Sequence, residues 1–359
     1  MQKSLFEPLS FASGQTMKNR FFLAPMTNTQ SHDDGCLSQE EYHWLTLRAK
    51  GGFGMTMTCA SHVQANGQGF PGQLGIFDDK HLEGHLRLVS GIQAHQSLAV
   101  IQLHHAGIRS PKELIKGSPV GPSAHIKTGA RAMTTKEVIE LREAFVEAAI
   151  RAKKCGYNGV EIHGAHGYIL AQFLSAEYNQ RNDEYGGSMT NRFRIIIEII
   201  DGIRHQCGAE FMIGLRLSPE RYGIQLEEIK EFCLQLDAQK KVDFLDISLW
   251  DVFKMPEDAS YASQSLLEHF SKLALFNTPW TVAGKIYSGR VAQKVIDAGV
   301  DFVCIGQAAI LHQDFPLQVQ QNPQFEASKL PVSATYLKEQ GLSPKFIKYM
   351  RRWPNFVSD

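Results

Sequence analysis

The sequence predicts an α/β protein folded as a single (β/α)8 barrel, the TIM barrel, with a C-terminal extension. Eight short apolar segments lie between residues 21 and 306, and each but the last is clearly followed by a helical segment. Strands that alternate with helices form parallel sheets through right-handed crossovers, and eight such units in a chain of this length favour a closed barrel. The first strand ends in Pro25-Met26-Thr27 without a GxGxxG turn, which disfavours an open dinucleotide-binding sheet.

Composition and charge describe an ordinary globular chain without a nucleic-acid or membrane signature. Its 359 residues include 37 basic and 37 acidic side chains and no long basic run, so electrostatic binding to nucleic acid has no support. No apolar run approaches membrane-spanning length, and the N-terminal residues have neither a signal nor a transit pattern. The six cysteines are scattered without a CxxC pair, which argues against an iron–sulfur cluster and disulfides and is typical of a cytoplasmic protein.

The first half of the chain contains four predicted strands and the helices between them. Ser38-Gln39-Glu40-Glu41 has the pattern of a capping box that opens the first helix. We expect Thr135 to cap the third helix, where apolar residues recur at helical spacing. The segment 108–134 is too rich in Pro, Gly and Ser for a regular element, and a loop of that length is usually functional. The strands are predicted at residues 21–25, 53–59, 98–103 and 159–162, and the first two helices at 38–50 and 79–95.

The second half contains four more strands and the helices that separate them. Composition does not change between the halves, so we expect one barrel over residues 1–315. Residues 316–359 are expected to form an extension that packs on the barrel or on a neighbouring subunit. The strands are predicted at residues 211–216, 244–248, 280–284 and 302–306, and the helices at 189–206, 226–240, 261–275 and 290–298.

The fourth strand runs into a turn that carries His163, His166 and Tyr168. Imidazoles and a phenol can together donate hydrogen bonds to an oxygen and deliver a proton. Any one of these histidines alone would more often be a structural residue satisfied by its neighbours. A metal pair is disfavoured, because the two histidines lie on a glycine-broken turn without an obvious third ligand.

The ends of the other strands supply residues that a barrel directs towards the same site. They combine hydrogen-bond donors, a fixed cation and glycines late in the barrel, where loops commonly bind phosphate through backbone N–H groups. This convergence favours a functional role for the histidines. The residues are Pro25, Met26, Thr27, Ala60, Gln102, His104, His105, Arg216, Ser248, Gly284, Lys285, Gly306 and Gln307.

These segments resemble the old yellow enzymes, which are FMN-dependent ene-reductases. The resemblance covers residues 4 to 315. The motifs are highly specific because they occur together, in order and at consistent spacing. They are Leu23-Ala24-Pro25-Met26-Thr27, Ile101-Gln102-Leu103-His104-His105-Ala106-Gly107, Glu161-Ile162-His163-Gly164-Ala165-His166-Gly167-Tyr168, and the run from Phe173-Leu174-Ser175 to Asn191-Arg192.

The resemblance implies an FMN cofactor, NADH or NADPH as hydride donor, and α,β-unsaturated carbonyl compounds or related activated alkenes as substrates. It implies that His163 and His166 hydrogen-bond the substrate carbonyl and that Tyr168 protonates the α-carbon. The implied flavin contacts are the Thr27 hydroxyl, the side chains of Gln102 and Arg216 at the pyrimidine edge, and the backbone at Pro25, Met26 and Ala60. The implied phosphate-binding residues are Gly284, Lys285, Gly306 and Gln307.

The chain departs from the family pattern at several positions. Gln307 replaces an arginine that clamps the FMN phosphate, and Lys285 is a candidate for the substitute charge. Thr27 resembles one branch of the family, whereas the chain length and the short 27–37 loop resemble the branch with cysteine there. Asn28 replaces a tyrosine used by some members against substrate, so we expect it in a more polar or roomier substrate pocket.

The tail Arg351-Arg352-Trp353 resembles one that reaches a neighbouring subunit's active site in some bacterial relatives, which would place Arg351 at the substrate of a homo-oligomer. A basic surface tail is the alternative interpretation.

Three functions follow from these features. The first is an NAD(P)H-dependent ene-reductase that works by a ping-pong cycle on a small-molecule substrate. The second is an NAD(P)H:flavin oxidoreductase that passes electrons to oxygen, quinones or nitro compounds, and the third is a non-catalytic flavin-binding protein. Substrate choice is expected to depend on the loops 62–75, 108–134 and 249–262, and no nucleotide fingerprint separates NADH from NADPH.

Overall fold

The computed structural model describes residues 3–358, and eight parallel strands close into a barrel at its centre, as predicted. The strands follow one another around the barrel in chain order, and the eighth pairs with the first. They are β1 Phe21–Leu23, β2 Met55–His62, β3 Leu98–His104, β4 Gly159–Gly164, β5 Met212–Leu217, β6 Phe244–Ser248, β7 Trp280–Ala283 and β8 Phe302–Ile305.

One principal helix follows each strand and packs on the outside of the barrel. They are α1 Gln39–Lys50, α2 Leu82–Gln93, α3 Thr135–Lys154, α4 Met189–Cys207, α5 Leu226–Ala238, α6 Leu266–Ser271, α7 Gly289–Asp297 and α8 Gln307–Leu311. A short extra helix, Ile169–Leu174, lies between β4 and α4. None of the described helices has the length and apolar character needed to cross a membrane.

Several predicted helix ends differ from the observed ones because of capping. Thr134, not Thr135, caps α3, and its hydroxyl and the Glu137 carboxylate bond reciprocally to the backbone. The predicted helix 261–275 is only α6, which starts after Ser265 because that residue forms a capping box with Glu268. Ser38 does cap α1, but no reciprocal bond completes a capping box there.

The segment 108–134 contains more regular structure than its composition predicts. A short helix spans Lys112–Ile115, and the two-residue strands Val120–Gly121 and Arg131–Ala132 pair with each other. These elements are too short to show a periodicity in the sequence.

The interior of the barrel is apolar at the end where the strands begin. A hairpin of Leu9–Ser10 and Thr16–Met17 covers that end, and the buried ring of Phe11 packs at 6.0 Å from Phe244 and 5.8 Å from Phe302, measured between ring centroids. The hairpin therefore closes the amino end of the barrel, and the carboxyl ends of the strands remain for a site.

The C-terminal extension packs against the barrel of its own chain. It contains α9 Phe315–Gln321, α10 Ala334–Glu339 and α11 Pro344–Met350. Phe346 of α11 lies edge-on to Trp44 of α1, with ring centroids 4.9 Å apart, and both rings are buried. This contact holds the last helix beside the carboxyl ends of the strands.

Candidate active site

Two adjoining cavities open at the carboxyl ends of the barrel strands, with volumes of 490 and 380 Å³. Each volume lies in the range of small-molecule sites, about 300 to 1,000 Å³. The cavities form one cleft because they share lining residues, namely Pro25, Met26, Arg216, Trp250, Gln307 and Trp353. The larger lobe also contains Thr27, Ala60, Gln102, His163, His166 and Tyr168, and the smaller lobe contains Gly284, Lys285 and Gly306. The structure thus brings together every residue predicted for catalysis or cofactor binding.

The turn after β4 is held by contacts on both of its sides. His166 has a left-handed backbone with φ of 60°, which is uncommon outside glycine and is often found at functional sites. Its N–H donates to the Ser218 hydroxyl at 2.9 Å, and its carbonyl accepts from Nη1 of Arg109 at 2.5 Å. These two bonds fix the direction in which the His166 imidazole leaves the turn.

A chain of three imidazoles crosses the larger lobe. His104 Nδ1 lies 3.0 Å from His163 Nδ1, and His163 Nε2 lies 2.8 Å from His166 Nδ1. The chain ends at the Ser248 hydroxyl, 2.8 Å from Nε2 of His166. Burial lowers the pKa of His166 to about 3 and that of His104 and His163 well below the usual value. At neutral pH the three rings are therefore uncharged, and each carries a single N–H.

The phenol ring of Tyr168 packs against His104, the first imidazole of this series. Its centroid is 4.3 Å from that of His104, and the Arg109 guanidinium carbon lies 4.7 Å from the ring centre. Burial raises the pKa of Tyr168, although Arg109 opposes that change. The phenol consequently retains its proton at neutral pH and can act as an acid.

A buried ionic cluster lies behind the two side chains predicted at the polar edge of the flavin. Gln102 donates from Nε2 to Glu161 at 2.7 Å, and Asp246 lies 3.1 Å from Nε of Arg216. Burial and the nearby Asp246 raise the pKa of Glu161. Burial also raises the pKa of Asp246, but Arg216 opposes that shift. Asp246 balances the charge of Arg216, and the Gln102 carbonyl oxygen stays available as an acceptor.

The smaller lobe combines backbone donors with one cation. Lys285 has φ of 50°, and its Nζ lies 3.1 Å from Asp251. Gln307 begins α8, and its side-chain oxygen accepts a hydrogen bond from the Tyr287 hydroxyl. Because first-turn N–H groups have no acceptor within their helix, those of Gln307 and Ala308 remain available to an anion. The hydrogen-bond donors at the strand ends of the larger lobe fit the polar edge of a flavin, and the anion-accepting loop of the smaller lobe fits its phosphate. The two lobes together therefore fit FMN.

Two residues predicted to contact substrate do not line the cleft. Asn28 is fully buried; its Nδ2 donates to Glu41 at 3.0 Å, and its Oδ1 accepts from the Gln30 N–H at 2.9 Å. Asn28 therefore shapes the turn after β1 instead of facing substrate. Arg351 does not line the cleft of its own chain, although Trp353 of the same tail does, and its placement at the active site of a neighbouring subunit stays a prediction.

Several cleft residues were not identified as site residues from the sequence. Three of them lie in the loops expected to set substrate choice, and others come from the extension, whose path depends on tertiary packing. Trp353 lies near Trp250, with ring centroids 6.2 Å apart. The aromatic residues of the tail were the available signal for this contact. The unidentified residues of the larger lobe are Phe70, Arg109, Tyr222, Trp250, Ile310, Tyr349, Met350 and Trp353.

The buried histidines predict that the protein loses stability on mild acidification. Burial lowers the pKa of His62 and His85 to about 4 and that of His105 and His166 to about 3. Between about pH 6.5 and pH 4 the unfolded chain binds protons that the folded chain does not. The free energy of unfolding is therefore highest above this window and falls through it, by on the order of 1 kcal/mol per pH unit for each histidine. Urea unfolding at pH 7.5 and 5.5 measures the change.

His85→Gln provides a control for this effect. His85 bridges the Tyr157 hydroxyl at 2.8 Å and the Gly75 carbonyl at 2.9 Å, and a glutamine retains hydrogen-bonding groups without the titration. We expect a smaller difference in unfolding free energy between the two pH values for this variant. An unchanged difference would contradict the assignment of a depressed pKa to His85.

The chain is similar to known proteins in both sequence and fold. The sequence model of the NADH:flavin oxidoreductase / NADH oxidase family matches residues 4–326. The chain is 37% identical over 330 residues to a probable NADH-dependent flavin oxidoreductase, YqiG of Bacillus subtilis, covering 89% of this chain and 88% of that protein. It is 32% identical to an NADH oxidase of Thermoanaerobacter brockii over 90% of this chain, but spans only 52% of that longer protein. Among solved structures, the old yellow enzyme homologue from Zymomonas mobilis superposes with a TM-score of 0.80 at 26% identity, covering 96% of this chain and 98% of that one.

Proposed function

Because the chain belongs to the NADH:flavin oxidoreductase / NADH oxidase family of FMN-dependent, NAD(P)H-using oxidoreductases, we propose that it reduces the C=C bond of α,β-unsaturated carbonyl compounds. The observation that carries this proposal is the position of a neutral phenol, Tyr168, beside two neutral imidazoles in one lobe. Bound FMN would supply the hydride chemistry, with NADH or NADPH as the hydride donor and the alkene as the acceptor.

His163 and His166 hold the substrate carbonyl in this proposal. Their facing nitrogens, Nε2 of His163 and Nδ1 of His166, are 2.8 Å apart and hydrogen-bond each other in this structure, so a carbonyl oxygen that accepts from both must replace that bond. Hydrogen bonds to that oxygen stabilise the negative charge that develops when the β-carbon is reduced. Both rings then need an N–H on the inner side, which follows if His104 donates to His163 and Ser248 donates to His166.

Tyr168 supplies the proton for the α-carbon. Its raised pKa keeps the hydroxyl protonated through neutral pH, and the Arg109 cation beside the ring stabilises the phenolate that remains after transfer. The Tyr168 ring is half-buried and is held in place by its contacts with His104 and Arg109. The proton therefore comes from a fixed position in the lobe.

Thr27, Gln102 and Arg216 hold the polar edge of the flavin in the same proposal. Arg216 lines both lobes with only 6% of its side chain exposed, so its charge acts with little screening by solvent. Asp246 fixes the guanidinium from behind. A cation at this edge favours the anionic reduced state of the cofactor.

Lys285 is proposed to supply part of the charge that Gln307 lacks towards the FMN phosphate. We expect Lys285→Ala to weaken FMN binding by about tenfold, a small effect because the lysine is 56% exposed and already near Asp251. Fluorescence titration of the apoprotein with FMN measures the dissociation constant. Riboflavin, which lacks the phosphate, should bind both proteins equally, and Gln307→Arg in the variant should restore FMN binding. Equal FMN affinity in wild type and Lys285→Ala would exclude this role.

The proposed function is tested by following the two half-reactions separately. Purified protein loaded with FMN should be yellow, should be bleached anaerobically by NADH or NADPH, and should regain its colour with 2-cyclohexenone while cyclohexanone forms. The alternative, transfer to oxygen or quinones, is motivated by the relative named NADH oxidase. Reoxidation by oxygen or a quinone without any cyclohexanone would favour that alternative. Protein that FMN cannot reconstitute would contradict both.

A further inference from the structure

Within residues 3–358, all charged residues that line the two lobes of the cleft are cations. They are Arg109, Arg216 and Lys285, and no aspartate or glutamate lines either lobe. Two of these cations are paired from behind, Arg216 with Asp246 at 3.1 Å and Lys285 with Asp251 at 3.1 Å. Arg109 takes part in none of the ion pairs found within residues 3–358. One positive charge of the larger lobe is therefore left without an acidic partner.

Arg109 stands at the catalytic turn and not at the flavin edge. Its Nη1 donates to the His166 carbonyl at 2.5 Å, and its guanidinium carbon lies 4.7 Å from the centre of the Tyr168 ring. A guanidinium has five N–H groups, so one bond to a carbonyl leaves others for a ligand. The cation thus lies beside the groups expected to hold and protonate the substrate.

The loop that carries Arg109 is fixed where it leaves β3. The residue ends a 3-10 turn, Gly107–Arg109, that begins with φ of 63° at Gly107. The Gly107 N–H donates to His105 Nδ1 at 3.0 Å, and the Ile108 N–H donates to Gln172 at 3.2 Å. The backbone is anchored while the arginine itself remains solvent-exposed at the mouth of the lobe. An anion can therefore approach the guanidinium while part of its own hydration shell remains.

We propose that Arg109 binds a carboxylate carried by the substrate, and that the preferred substrates are unsaturated carbonyl compounds bearing such a group. The proposal rests on the ene-reductase function proposed above. A planar guanidinium suits a carboxylate because two parallel N–H groups match its two oxygens. The phosphates of NAD(P)H share this chemistry, and the experiment below separates the two sources.

The test compares one charged and one neutral form of the same enone in the FMN-loaded enzyme. The probes are trans-3-benzoylacrylate and its methyl ester, and the variant is Arg109→Gln. Stopped-flow reoxidation of the reduced enzyme gives kcat/KM for each probe. We expect the variant to lose at least tenfold more on the carboxylate than on the ester. The comparison of ratios removes any loss that comes from a disturbed His166 turn, because that loss affects both probes.

A charge-matched control and a binding measurement complete the test. Arg131→Gln removes an arginine that pairs with Glu137 away from the cleft and should leave the carboxylate-to-ester ratio of wild type. Calorimetry with the saturated analogue 3-benzoylpropionate should show at least tenfold weaker binding to Arg109→Gln than to wild type. This binding is measured without turnover, so it tests the subsite even if neither probe is reduced, a result that would refute the proposed function alone.

Two results would overturn the proposal. Equal losses on carboxylate and ester, with unchanged binding of the saturated analogue, would limit Arg109 to holding the His166 carbonyl. A selective loss in the rate or affinity of flavin reduction by NADH or NADPH would assign the cation to the nucleotide phosphates instead.

Discussion

Replacing Tyr168 by phenylalanine is expected to slow alkene reduction by at least about 100-fold, the usual scale of general acid catalysis. Reduction of the flavin by NADH or NADPH should change little, because that half-reaction needs no proton from the phenol. Phenylalanine retains the ring and its contacts with His104 and Arg109, so a folding defect is not expected. Stopped-flow measurement of both half-reactions in the same preparation checks the prediction.

The selectivity between half-reactions decides whether Tyr168 is an acid or only part of the pocket wall. A wall residue would affect both half-reactions to a similar extent, because in the proposed ping-pong cycle the nicotinamide and the alkene use one site in turn. An acid affects only alkene reduction, and the loss should be smaller for nitro compounds or quinones, whose oxygens take up protons directly from water. Equal slowing of NADPH oxidation and alkene reduction would therefore argue against the proposed role. The raised pKa of Tyr168 further predicts that alkene reduction does not lose its acid at mildly alkaline pH.

Much of the cleft was predictable because it depends on where strands end. His163, Gln102 and Arg216 lie at or near the carboxyl ends of short apolar segments, and the closure of the barrel brings those ends together whatever the loops do. The sequence pattern thus predicted that the turn with His163, His166 and Tyr168 and the proposed flavin contacts lie in one cleft.

Residues beyond the strand ends were not predictable by the same reasoning. Asn28 follows β1 by several residues, and its direction is decided by the buried carboxylate of Glu41 on α1. In the sequence, that glutamate has the position of a capping-box residue, and only the packed structure shows it turned towards Asn28 and Ser31. Trp353 likewise lies at the cleft just beyond α11, which Phe346 anchors on Trp44. Such contacts join segments distant in sequence and have no local pattern.

Replacing His166 by alanine is expected to lower kcat/KM for an unsaturated ketone by roughly 100- to 1,000-fold, as for the loss of one oxyanion donor. His163→Ala should have a loss of the same order, because both rings are proposed to donate to the same oxygen. An alkene activated by a nitro group instead of a ketone provides a comparison, since its own charge distribution depends less on these donors. Steady-state kinetics on the two substrate types measure the difference. Losses below about fivefold on the ketone would contradict the donor role.

Replacing His104 tests what decides which ring nitrogen of His163 carries the proton. When neutral His163 carries its proton at Nε2, its Nδ1 has no proton and accepts a hydrogen bond. His104 Nδ1 lies 3.0 Å away and can donate to it. His104→Leu removes that donor while filling the buried space, and we expect a loss of roughly tenfold in kcat/KM, the scale of one hydrogen bond left unmade. If His104 acts only through His163, the double variant with His163→Ala should be no slower than His163→Ala alone. Additive losses would show that His104 acts separately, for example through its contact with the Tyr168 ring.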